Sequence, residues 1–317
     1  MENQATATLP ASNPAKPRNF IQRVMENPVI RKELRGRMRG RQAFVLLTLY
    51  LMLISVVIGI VYAGLSSSQP YSGANLQIRQ AAGKATFGTV VLLELLMISF
   101  IGPALTSGAI TSEREHQTFD LLRTTTLPAR SLVLGKLGSS MAYLLLLLFA
   151  ALPIESIAFL LGGVGLVEII ISAVMMVVTA VFYCTLGMLF SSLMKRTLAA
   201  TVASYATIIL SFILLGLAFF LLAAMSPAIS LAGSKSWLAT LLSIITWALV
   251  CTNPVLAAVM SEQILISDQS LFFTSTPLFG SRSLLLPSPW IPFIVIFIGL
   301  TLLMIAVSVR RVRRADR

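Results

Sequence analysis

Long uninterrupted apolar runs dominate this sequence and decide its environment before any fold can be discussed. A hydrocarbon core about 30 Å thick is crossed by about 20 apolar helical residues, each rising about 1.5 Å. Five runs reach that length: 43–64, 89–110, 137–161, 167–190 and 198–224. A sixth, 291–309, has 19 residues and just suffices. The stretch 238–250 has only 13 and suits an interfacial or re-entrant segment better than a span. Composition agrees. Charged residues make up 11% of the chain and apolar ones 56%, whereas soluble domains carry about 25% charge. The expected fold is an all-α integral membrane protein of six transmembrane helices.

Charge placement chooses six spans over seven. With six, Lys and Arg fall 9, 4, 2 and 5 to the N-terminal segment, residues 111–136, residues 191–197 and the C-terminus. Arg79, Lys84, Lys235 and Arg282 are left for the other side. That asymmetry marks the richer side as cytoplasmic. A seventh span would put the C-terminal arginines outside. The expected arrangement is N-in and C-in, multi-pass, in the plasma (cytoplasmic) membrane. The net charge of +12 does not point to nucleic acid, because the basic residues flank spans; anionic lipid headgroups are the simpler partner. The first apolar run follows 42 residues that include a dense basic stretch, which does not read as a secretory signal.

Residues 1–17 are rich in Ala, Thr, Asn and Pro and read as a disordered cytoplasmic tail. Residues 18–42 read as an amphipathic helix. Asn27-Pro28 offers a cap and first position; Ile30, Leu34 and Met38 share one face, and Arg31, Lys32, Arg35 and Arg39 the other. Such a helix lies in the membrane interface or is a solvated juxtamembrane helix. A long external region is expected over 225–289, with a second helix starting at Asn253-Pro254. Residues 310–317 form a basic cytoplasmic tail. The two cysteines, Cys184 and Cys251, sit in or beside apolar segments and suggest neither a disulfide framework nor a metal site.

Candidate chemistry is sparse. There is one histidine, His116, no metal-ligand spacing, and no G-x-x-x-x-G-K-[ST] loop to cradle phosphates. No catalytic residue is assigned, and the chain is not expected to be an enzyme. Glu94 lies inside the second apolar run, where an ionised carboxyl is costly. It is either part of a translocation path or a carboxyl bonded to a neighbouring helix. Glu155 and Glu168 flank the turn at Gly162-Gly163-Val164-Gly165, where interface water is expected to reach them. Pro103 and Pro153 interrupt the second and third runs, as bundled helices tolerate.

The largest cytoplasmic loop, 111–136, carries Glu113-Arg114-Glu115-His116-Gln117-Thr118-Phe119-Asp120-Leu121-Leu122. A short segment with charged ends and an apolar patch, held between two spans, suits either docking on a partner or folding back on the bundle. At this loop the sequence resembles the permease subunits of type-2, export-class ABC transporters. Their second and third spans are joined by a pattern near E-R-E-x-G-T-x-D-L-L-x-x-T-P-L. Glu113, Arg114, Glu115, Thr118, Asp120, Leu121, Leu122, Thr125 and Leu127 match it. Gln117 stands where Gly is common, and Thr126 where Pro is common. The stretch Asn27 to Arg35, including Arg31, Lys32, Glu33 and Arg35, resembles that family's N-terminal elbow helix.

The resemblance implies that Glu113, Arg114, Glu115, Thr118, Phe119, Asp120, Leu121 and Leu122 form a coupling helix that docks on a separate ABC ATP-binding subunit. It implies a second permease chain, identical or not. ATP and Mg would then be bound by the partner, with no cofactor on this chain. A membrane scaffold or assembly factor that docks a cytoplasmic protein without transport is the alternative.

Overall fold

A computed structural model describes residues 41–67, 76–117, 129–161, 163–231, 236–268, 270–276 and 284–314. The expected tail at 1–17 and nearly all of the elbow, including Arg31, Lys32, Glu33 and Arg35, lie outside these residues. So do Thr118, Phe119, Asp120, Leu121 and Leu122 of the loop.

Six of the helices are long and apolar enough to cross a membrane: α1 (Arg41–Ser67), α2 (Leu76–Thr106), α4 (Ala129–Leu161), α5 (Leu166–Leu193), α6 (Thr197–Leu231) and α9 (Trp290–Arg314). The all-α, six-span expectation therefore stands. Between them lie the five-residue α3 (Thr111–Glu115), the pair α7 (Ser236–Thr252) and α8 (Pro254–Asp268), and strands β1 (Phe273–Thr276) and β2 (Leu284–Pro287). Several helices overshoot their apolar runs. The second starts at Leu76 rather than near 89, the third at Ala129 rather than 137, and the last runs to Arg314. Apolarity reports only the part in hydrocarbon, while helical hydrogen bonding continues into the headgroup layer.

The core is built on α5, which packs against α2, α9, α4 and α6. Lipid offers no hydrophobic drive between helices, so close approach through small residues has to supply the attraction. The α2–α5 crossing shows this. A Cβ on Gly187 would lie 3.0 Å from Pro103 Cα and would collide with the Thr106 hydroxyl. Phe182 of α5 meets Phe297 of α9 at 4.5 Å between ring centroids, and Phe297 meets Phe293 at 4.2 Å. Buried hydroxyls donate back to carbonyls one turn earlier, as Ser99 does to Leu95 and Thr179 to Met175. Without water, that satisfies them locally. By contrast α1 and α6 are peripheral, with 11% and 6% of their spanning windows buried.

The 238–250 stretch lies within α7, the first arm of a bent pair. Helices α7 and α8 meet at 109° around Asn253. Asn253 Oδ1 accepts from the backbone of Val255 and Leu256 at 3.0 and 3.3 Å, capping α8 as its position before Pro254 suggests. Helix α8 then packs against α2 and α5. Its Glu262 carboxyl stands 3.2 Å from where a Gly88 Cβ would be, beside Glu168 at the start of α5. The pair thus folds back at the end of the bundle where α5 begins. An antiparallel hairpin follows, pairing Phe273 with Pro287 and Thr276 with Leu284. Trp290 clamps it by donating Nε1–H to the Leu271 carbonyl at 2.9 Å.

Candidate coupling site and buried carboxyl pair

The two expected sites, the start of loop 111–136 and Glu94, lie at different depths. At the loop, α2 breaks after Thr106 and the chain turns into α3. Ser191 of α5 holds that turn, its Oγ accepting from the backbone of Ile110 at 2.9 Å and Thr111 at 3.1 Å. Each residue of the Glu113-Arg114-Glu115 triplet then reaches a different helix or turn. Glu113 pairs with Lys136 of α4, whose Nζ also donates to the Ala109 carbonyl. Lys136 is 4% exposed, far from the aqueous loop end its sequence position suggests. Arg114 donates to the carbonyls of Ser192 and Met194 at the end of α5, at 3.4 and 3.1 Å.

Glu115 caps α6. Its two oxygens accept from the backbone N–H and the hydroxyl of Thr197, at 2.9 and 2.8 Å. A carboxylate at a helix N-terminus also meets the positive end of the helix dipole. The Thr197 backbone and then hydroxyl bonds hold the Glu115 carboxyl below the usual carboxylate range. One turn on, Ser107 and Thr201 hydroxyls share a bond of 2.9 Å. The three residues expected to dock a partner therefore face the chain's own spans in the structure. They tie α3 to α4, α5 and α6.

The triplet ends in a tight turn. His116 N–H donates to Ser112 O and Gln117 N–H to Arg114 O. Gln117 has φ +57°, the left-handed conformation that closes helices at the residue past the cap and favours Gly. The position at which this loop departs from the Gly of the family pattern is the one where the backbone asks for Gly.

Deeper in the bundle, Glu94 of α2 is buried beside Glu155 of α4 and Tyr50 of α1. The expectation that interface water reaches Glu155 is not met, since it is 2% exposed. It lies two turns before the end of a helix that extends to Leu161, and it faces α2. Glu94 Oε1, Glu155 Oε2 and the Tyr50 hydroxyl make no hydrogen bond of good geometry, although all three groups are close enough to interact. Both carboxyls line a cavity of about 60 Å³ with Leu148, Phe149, Leu152 and Met176. Glu168 is accounted for differently: its Oε2 accepts from Gly165 N–H at 2.9 Å, capping the start of α5. Sequence reasoning missed Lys136, Ser191 and Thr197 as partners of the triplet, and Tyr50 and Glu155 as neighbours of Glu94. No group of three or more His, Cys, Asp or Glu side chains placed to hold a metal ion lies among the described residues.

Comparison with curated proteins gives no significant match. A family profile described as ABC-2 family transporter protein matches residues 27–317. That span takes in all six membrane helices, the loop triplet and the buried carboxyls. The chain is a multi-pass membrane protein that belongs to the ABC-2 family of transporters.

Proposed function

We propose that the chain is the permease subunit of an ATP-driven ABC exporter, working with a separate ATP-binding subunit and a second permease chain. In this reading both termini are cytoplasmic, and the loop following α3 docks on the ATPase. The observation that carries it is the anchoring of Glu113, Arg114 and Glu115. A segment that receives a push from a partner can move the spans only if it is joined to them. Here each of three consecutive charged residues grips a different part of the bundle. The docking contact itself then falls to residues 118–122, where Phe119, Leu121 and Leu122 supply the apolar anchors such contacts need.

The family supports the division of labour: ABC-2 permeases pair with ATP-binding subunits. The absence of a phosphate-cradling loop from the sequence is consistent with ATP bound elsewhere. The test is ATP turnover in the complex purified with its ATPase and reconstituted in lipid. Substituting Asp120→Lys or Leu121→Trp should abolish co-purification, or uncouple turnover from the permease. Turnover that is indifferent to both changes in an intact complex removes the coupling role.

A further inference from the structure

We infer that the Glu94–Glu155 cavity is a binding site for a primary alkylammonium, and that a membrane-soluble amine is the class of cargo this protein carries. The binding claim stands on the geometry alone; only the word cargo rests on the permease reading.

The argument begins with unmet bonding. Glu94 Oε1, Glu155 Oε2 and the Tyr50 hydroxyl are buried and without a well-formed hydrogen bond. Glu94 and Glu155 are 1% and 2% exposed. Buried polar oxygens left this way are costly in a membrane span. No basic side chain acts on either carboxyl among the described residues, and a bound cation would supply the positive charge they lack there. A primary ammonium carries three N–H donors, and the cavity offers it two carboxyls from two helices, Glu94 of α2 and Glu155 of α4.

Size and walls then narrow the ligand. About 60 Å³ is enough for an ammonium head but not for a chain. The wall is apolar, and Phe149, Leu152 and Val177 both line the cavity and are exposed on the outside of the bundle. The mouth therefore opens sideways between α4 and α5, and an apolar tail can lie along it. A bare divalent cation fits poorly: Ca²⁺ takes six to eight oxygens, and Mg²⁺ an octahedral shell with several waters.

The experiment measures saturable binding of radiolabelled dodecylamine to the full chain in neutral phosphatidylcholine nanodiscs, with empty nanodiscs as the partition blank. No ATPase is needed, so this result and the ATP-turnover result fail independently. One saturable site per chain is expected, displaced by unlabelled dodecylamine. Dodecanol, which has the tail without the charge, should not displace it. Ammonium chloride, which has the charge without the tail, should displace it only weakly. Dodecyltrimethylammonium, which lacks N–H donors, should bind at least about tenfold more weakly, as should dodecylamine on Glu94→Gln or Glu155→Gln. The inference is overturned by wild-type protein with no saturable binding, as expected of carboxyls that hold only protons. Equal displacement by ammonium chloride, which marks a bare cation site, also overturns it. So does binding unchanged in both isosteric variants, and the ligand series on wild-type protein decides even if a variant does not fold.

Discussion

At the residue scale, Gln117 and Glu115 do unlike work within one turn of chain. Gln117 holds a left-handed backbone that costs a non-glycine residue about 1–2 kcal/mol. Gln117→Gly should leave thermal stability unchanged or slightly raised, since the relief of strain is partly offset by the freer unfolded chain. Gln117→Val should lower it, because a β-branched residue tolerates this region worst. Thermal unfolding in nanodiscs checks both. Glu115 makes its contribution as a carboxylate. Its folded-state value is depressed by Thr197, so the contribution is complete above the unfolded value of about 4.3 and disappears as pH falls through the lower folded value. Melting temperature should therefore drop more in wild type than in Glu115→Gln as pH goes from neutral to strongly acidic. Equal slopes would remove the cap from the account. Gly163 is a case of backbone necessity: at φ +121° a Cβ would strike the Gln80 carbonyl, so Gly163→Ala should destabilise the turn into α5.

At the element scale, the loop triplet joins helices that the sequence shows only as separate runs. Lys136 is nearly buried and Glu113 is 21% exposed. Removing either partner alone leaves a charge in a poorly solvated place. A double-mutant cycle of Lys136→Met and Glu113→Gln should give a coupling of about 1–3 kcal/mol, read from unfolding in lipid. A coupling near zero would mean that α3 is not held to α4 by this pair. The same scale shows what was legible in advance. The six spans were, because a bilayer demands about 20 apolar residues in a row and little else in a sequence produces them. The Asn253-Pro254 helix start was legible too, because capping is a local event. Glu155 was misjudged because its distance along the chain from a turn says nothing about the helix face it occupies. Lys136 reads from the sequence as a loop residue for a related reason: the apolar run begins after it, but the helix begins seven residues before. The hairpin Phe273–Thr276 with Leu284–Pro287 has strands of four residues, too short for alternation to declare itself. The contact of Tyr50 with Glu94 depends on how α1 crosses α2, which no local pattern encodes.

At the scale of the whole molecule, the bundle is graded from rigid to peripheral. Helices α2 and α5 interlock through Gly102 and Gly187, and 44% of each of their spanning windows is buried. Helices α1 and α6 lie at the periphery, with few residues of their spanning windows buried. The triplet grips both kinds, reaching α4 and α5 in the interior and α6 at the edge. Movement of the loop would therefore act on α6 relative to the α2–α5 core. The most direct test places a single reporter at the far end of the bundle. Leu166→Cys puts a thiol on an exposed position at the start of α5, while Cys184 and Cys251 are buried and give little background. Labelling by a membrane-impermeant maleimide is followed in the complex with its ATPase, with and without ATP and vanadate. The account predicts a labelling rate that changes with nucleotide state, and loss of that change in Asp120→Lys. A rate that is the same in every nucleotide state would contradict it and leave a docking protein that does not transport.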